Sequence, residues 1–371
     1  MPEPAPSGRL DTVLECVDLD AMVSFLTDRL GLRIDTISPA DSPSTITLSG
    51  HGASIRVVRT GSDVAGHLTL TGSRAAETLI APNGTRIDLV LDGAGYVLPD
   101  NSPSLSIVRA PDVDDDDRFG VGRAGMEYRD LLPDRWGGRF IASHIRIPGG
   151  GDVADSVHYH RIRFQLIFCA RGWVDLVYED QGPPFRLEAG DCVVQPPEIR
   201  HRVLHASPGL EVIEIGCPAV HDTFIEHELA LPTPVVDGER SFGGQRFVRD
   251  IGASAAWEPW LLGGLRSRTT GVASATAGLG GARVIRADAP SAEEPVGWLR
   301  HRGEFLFDVV LHGAADLLVD DGTGERVERL GARDAVAIPP GARWRWGDWS
   351  DDFELLDVTL PADPVTVDPP T

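Results

Sequence analysis

The chain has 371 residues, a formal net charge of −22 and no lysine, so arginine supplies all 34 basic side chains. So acidic a chain, with no basic run, repels nucleic acid and anionic membrane surfaces, and neither is an expected partner. No stretch approaches the about 18 apolar residues of a bilayer span, and Met1–Pro4 lacks the basic and apolar regions of a secretory signal, which points to the cytoplasm.

Along residues 10–60 the pattern reads strand, helix, strand, strand. Asp18 or Asp20 can cap a helix carrying Met22, Phe25, Leu26 and Leu30 on one side, and Gly31 can end it. Thr45–Leu48 and Ala53–Val58 alternate as strands do, and Ala81–Val90 reads as a turn followed by a strand. Residues 96–124 are polar and Gly/Pro/Ser-rich and read as a linker. Its acidic run Asp114–Asp117 reads as solvated. The four cysteines, Cys16, Cys169, Cys192 and Cys217, sit in apolar contexts without C-x-x-C spacing and read as small buried hydrophobes in a reducing compartment.

Residues 125–235 are strand-rich, with Gly and Pro turns at short intervals, which suits a small antiparallel barrel or jelly roll. Residues 246–362 repeat that pattern. Gly313 falls on Gly172, the run Asp334–Trp344 falls on Asp191–His201 without a gap, and Leu355–Pro361 falls on Val212–Pro218. An internal repeat of this kind means two copies of one fold.

The chemistry concentrates between His158 and His201. His158 and His160 share one face of a strand, because strand side chains alternate, and His201 follows a Pro-Pro turn where it can close a three-nitrogen site. Neutral imidazole is a common ligand for Zn, Fe, Cu and Ni. Three such ligands leave an ion's charge uncompensated, which favours a small anionic substrate that chelates it. His205, two residues beyond Val203 and four beyond His201, is expected to point inward as well. Glu214, inside an apolar strand, is a further catalytic candidate.

This stretch resembles the cupin superfamily. Gly151, His158, His160, Gly172, Gly190, Pro196 and His201 keep that family's spacing, with Gln165 in place of a glutamate and Glu198 in place of a glycine. The resemblance implies a mainly β fold with two tandem jelly-roll barrels, His158, His160 and His201 as metal ligands, and Gln165 as a weak fourth ligand or an orienting group. It also implies Fe(II) and dioxygenase chemistry, with Mn, Ni, Zn or Cu as alternatives. A non-redox isomerase, lyase or hydrolase and a non-catalytic small-molecule binder are the other readings. A homodimer is the expected assembly.

In the second copy, Leu299, His301, Leu306 and Trp344 fall on His158, His160, Gln165 and His201, so that barrel is expected to be metal-free. Glu304 reads as a surface residue, and Trp344, Trp346 and Trp349 as packing at the barrel mouth or a subunit contact, with the lining of an apolar pocket as the alternative. The N-terminal segment, residues 1–95, resembles the vicinal oxygen chelate superfamily through Leu10–Leu14, Phe25–Leu32 and Pro82–Asp88. With Thr12 where that family has a His and Asp88 near its Glu position, it implies a shortened, metal-free α+β relative that serves packing or assembly.

Overall fold

The computed structural model describes residues 10–73, 77–91, 96–111, 119–290 and 297–368, and the Asp114–Asp117 run lies outside them. The chain divides into two compact units, Met1–Ala94 and Gly95–Thr371. All four cysteines are buried and unpaired. No helix among the described residues is long and apolar enough to cross a membrane.

The first unit contains β1 (Thr12–Cys16), α1 (Leu19–Leu30), β2 (Arg33–Ser38), β3 (Thr45–Gly50), β4 (Ala53–Arg59), β5 (His67–Ser73), β6 (Glu77–Ile80) and β7 (Arg86–Leu91). Asp18 caps α1 by accepting from the Ala21 N–H at 2.9 Å, and Gly31 ends it at φ 67°, a left-handed conformation that glycine adopts without penalty. Leu19, Met22, Leu26 and Leu30 form its buried face. The strands make two sheets, β1-β4-β3-β2 and β5-β7-β6, and in each a parallel pair joins antiparallel neighbours. Thr12 is exposed. Asp88 accepts from Thr78 at 2.7 Å, pairs with Arg86 at 3.0 Å and meets His67 at 2.7 Å. The hydrogen bond from Thr78, then those from Arg86 and His67, hold its carboxyl down at about 2.

The second unit begins with β8 (Ser106–Val108), β9 (Gly120–Val121) and β10 (Glu127–Asp130). The first barrel continues through β11 (Ile141–Ile147), β12 (Gly151–Asp152), β13 (His158–His160), β14 (Phe164–Arg171), β15 (Trp173–Tyr178), β16 (Phe185–Glu188), β17 (Cys192–Val194), β18 (His201–Ala206), β19 (Leu210–Cys217) and β20 (Thr223–Ile225). A hairpin, β21 (Ser241–Phe242) and β22 (Gln245–Arg246), leads to β23 (Val248–Asp250). The second barrel runs β24 (Glu258–Pro259), β25 (Leu265–Thr269), β26 (Gly281–Ala287), β27 (Leu299–His301), β28 (Phe305–His312), β29 (Ala314–Asp320), β30 (Glu325–Gly331), β31 (Ala335–Ala337), β32 (Arg343–Gly347), β33 (Glu354–Leu360) and β34 (Val365–Val367).

Each barrel is a sandwich of a large and a small sheet. The large sheets run β23-β17-β14-β19-β11-β10-β9 and β8-β31-β28-β33-β26-β25-β24, so the two copies match strand for strand. The strand that precedes each barrel pairs with the other one, β8 with β31 and β23 with β17. The stretch expected to be a linker is therefore woven into both barrels. Alternation divides β14: Phe164, Leu166 and Phe168 face a core shared with Phe305 and Phe307 of the second barrel, whereas Cys169 faces the first barrel's own interior. Phe140 stacks on Phe305 at 4.1 Å. A Cβ at Gly280 would stand 2.5 Å from the Phe164 ring, so only glycine permits this approach.

Glu304 is not a surface residue. Its carboxylate accepts from Arg139 at 2.8 Å and Arg163 at 2.7 Å, both from the first barrel, and clamps the two barrels together. Trp344 and Trp346 do not sit at a barrel mouth. Both are 1% exposed and fill the second barrel's interior beside Leu299 and Leu317.

Candidate metal centre

In the antiparallel register of β13 and β18, His158 lies directly opposite His201. His160 lies two residues along β13, on the same face. The ligating nitrogens of the three imidazoles lie within 4.8 Å of one another, and this is the one such group of His, Cys, Asp and Glu found among the described residues. The second barrel keeps the same register, with Leu299 opposite Trp344. An isobutyl group and an indole occupy the ligand positions there. His301 is left with its Nε2 2.8 Å from the Ile338 carbonyl oxygen.

The surroundings prepare the three rings to ligate. The Nδ1 of His158 donates to the Ser156 carbonyl at 2.7 Å, and that of His201 donates to the Ile199 carbonyl at 3.0 Å. The Nδ1 of His160 is 3.3 Å from the Thr223 hydroxyl. Fixing Nδ1 directs the Nε2 lone pairs to the centre of the group, the arrangement in which an outer hydrogen bond sets the tautomer; that of His158 accepts from Arg123 here, so a metal would have to displace that N–H. Burial is the largest influence on all three. It pushes His160 down to about 3, His201 well below the usual histidine range and His158 below it, so the rings are neutral at physiological pH. Three neutral, oriented imidazoles fit a divalent transition metal.

The site lies in a cavity of about 90 Å³, room for several water molecules. Met126, Ile145, Leu176, Val203 and Val212 supply apolar wall, and Arg123, Tyr128, Gln165, Tyr178, Gln195 and Glu214 supply polar groups. Gln165 donates its Nε2–H to Glu214 at 2.6 Å, which commits its nitrogen to that carboxylate. Tyr178 stacks on His201 with ring centroids 5.4 Å apart and accepts from Gln195 at 2.8 Å. Burial first, and then the Glu214 charge, raise the Tyr128 hydroxyl to about 12, so it stays protonated as a donor.

His205 is not part of the cavity. Leu176 pairs with Val203 but Asp175 pairs with His205, so Leu204 is an extra residue in β18. This bulge inverts the alternation beyond it. His205 emerges 44% exposed, pairs with Asp152 at 2.9 Å and stacks on Trp173 at 5.6 Å.

Sequence reasoning missed Arg123, which falls in the polar stretch ahead of the barrel. Its Nη2 donates to the His158 Nε2 at 2.9 Å, and its guanidinium pairs with the buried Asp155. Asp155 also accepts from the N–H groups of Ser156 and Val203, both at 2.9 Å. An acidic residue three positions before the first His was the one available signal.

No protein-family model and no curated protein matches the chain. Solved structures do. Three mutants of Bacillus subtilis oxalate decarboxylase superpose on 67% of this chain and 76% of theirs with TM-score 0.50, at 11% or 12% sequence identity. The fold these structures share with the chain is the pair of tandem jelly-roll barrels. At that identity the likeness concerns architecture alone. It lends no support to iron or to dioxygenase chemistry, and the N-terminal resemblance to vicinal oxygen chelate proteins finds no counterpart in it.

Proposed function

We propose that the first barrel is the active site of a mononuclear, divalent-metal enzyme that moves a proton on a small, anionic, metal-chelating metabolite, as a lyase or isomerase does. The observation that carries this reading is the Glu214 carboxylate lining the same small cavity as three metal-ready imidazoles. A bound ion would supply Lewis-acid polarisation of substrate oxygens. His158, His160 and His201 would hold it. Gln165, tied to Glu214 through its nitrogen, presents its amide oxygen as an orienting group or weak ligand. Glu214 would take a proton from the substrate and return it at another position, held in place by the Gln165 N–H. The apolar wall keeps bulk water from the reacting atoms.

The dioxygenase expectation finds no support in the structures that the chain resembles, which are named oxalate decarboxylase. That the structures resembling this chain are named oxalate decarboxylase agrees in kind with non-redox work on a small anion. Among metals, three imidazoles suit Fe, Ni, Zn and Cu.

The test is metal analysis of the purified full chain, followed by oxygen uptake and solvent-deuterium exchange with small hydroxy and oxo acids on the loaded protein. One metal per chain with deuterium exchange and no oxygen uptake is expected. Oxygen consumption coupled to substrate loss would restore the dioxygenase reading, and binding without turnover would make the protein a sensor or carrier.

A further inference from the structure

We infer that this cavity selects a small monoanion carrying a second, uncharged oxygen donor, in the manner of a 2-hydroxy or 2-oxo acid, and discriminates against dianions. The inference rests on the metal-dependent reading above. It concerns charge, and it follows from what the cavity contains.

Arg123 stands at the edge of the metal position, 2.9 Å from the His158 Nε2, with its side chain 36% exposed. It is anchored from behind by Asp155, whose side chain is 0% exposed. With Nη1 held by Asp155, a metal on the His158 Nε2 would release the Nη2–H that now points there, and this charged donor could turn to a carboxylate bound at the three imidazoles. Glu214 lines the same cavity, with one oxygen accepting from Gln165. It faces a ligand with negative charge and acceptor oxygens, so it suits a hydroxyl or an acidic C–H and repels a second carboxylate.

Counted by formal charge, a divalent ion, Arg123, Asp155 and Glu214 leave one positive charge in a small, largely apolar enclosure. A monoanion brings the enclosure to neutrality, and a dianion overshoots it. In a low-dielectric cavity such a mismatch is costly.

The experiment loads the full chain with Co(II) and titrates three probes, following visible absorption and heat. The probes are glycolate, a monoanion; glycolamide, its neutral amide; and oxalate, a dianion. Wild type is expected to bind glycolate about tenfold or more tighter than oxalate, since a like-charge contact with Glu214 opposes only the second. Arg123→Gln should weaken glycolate by about tenfold and move glycolamide by less than about twofold. Glu214→Gln keeps an acceptor for the Gln165 N–H, and it should bring oxalate level with glycolate or past it. Oxalate binding as tightly as glycolate in wild type would overturn the inference. So would a loss in Arg123→Gln that is equal for glycolate and glycolamide. Absence of cobalt uptake would remove the metal-dependent reading and this inference with it. Uptake with a preference for oxalate would remove this inference alone.

Discussion

Replacing Glu304 with Ala should loosen the contact between the two barrels. In the native chain its carboxylate takes two charge-assisted hydrogen bonds, at 2.7 Å from Arg163 and 2.8 Å from Arg139. The three side chains are only 27%, 20% and 18% exposed, so the cluster lies between a solvated surface pair and a fully buried one. An exposed pair contributes up to about 1 kcal/mol, and breaking a buried one costs about 3–5 kcal/mol. The intermediate exposure places the loss at roughly 2 kcal/mol, or a fall in Tm of about 5 °C for a unit of this size. Burial acts to raise the Glu304 carboxyl, but Arg163 and Arg139 outweigh it and hold the carboxyl below its ordinary range. A depressed carboxyl contributes stability that is present above its unfolded pKa, roughly 4.3, and lost as pH falls through the folded value. The difference between wild type and Glu304→Ala should therefore be full at pH 7 and shrink below about pH 4. Thermal and urea unfolding at both pH values measure it. A Tm change under about 1 °C at pH 7 would refute the clamp. So would an equal loss when Glu304→Ala is made in an Arg139→Ala, Arg163→Ala background, where no partner is left to lose.

Three further outcomes are expected. His158→Ala should lower metal affinity by at least about a hundredfold, whereas His301→Ala should leave stoichiometry at one per chain, both read by mass spectrometry of the dialysed protein. Gln165→Ala should keep the metal and lose turnover, because its nitrogen is engaged with Glu214; metal loss in this variant would make Gln165 a true ligand. In the second barrel, Asp308 sits opposite Asp357 in the strand register, and burial first, then the Asp357 charge, raise the Asp308 carboxyl well above its ordinary range. A raised carboxyl gives stability that is complete below its unfolded pKa and lost as pH rises through the folded value. Asp308→Asn should therefore gain in Tm relative to wild type as pH increases from about 4 to 8, and a constant difference across that range would contradict the neutral state of Asp308.

What the sequence revealed and what it concealed separate along one physical line. Contacts set by strand period or by a copy of the same pattern were legible. His158 and His160 share a face because alternation is a property of the strand itself. Leu299 opposite Trp344 repeats His158 opposite His201 because both barrels use one register. Gly172 and Gly313 hold equivalent turns, and in each a Cβ would strike a serine hydroxyl, of Ser207 and Ser350, at 2.3 Å. Those two hydroxyls accept the Trp173 and Ala314 N–H groups, both at 2.9 Å, so the glycines and serines are fixed together in both copies. The failures began where that locality ended. One extra residue at Leu204 turned His205 out of the cavity, and nothing in the composition of β18 marks it. Glu304 looked exposed because its partners, Arg139 and Arg163, are remote in sequence and belong to another barrel. Arg123 looked like linker for the same reason: its meaning comes from Asp155 and His158, met only after the chain has closed on itself. The grouping of the three imidazoles could thus be read from spacing, while the charged groups around them, Arg123 and Asp155, are brought there by long-range closure.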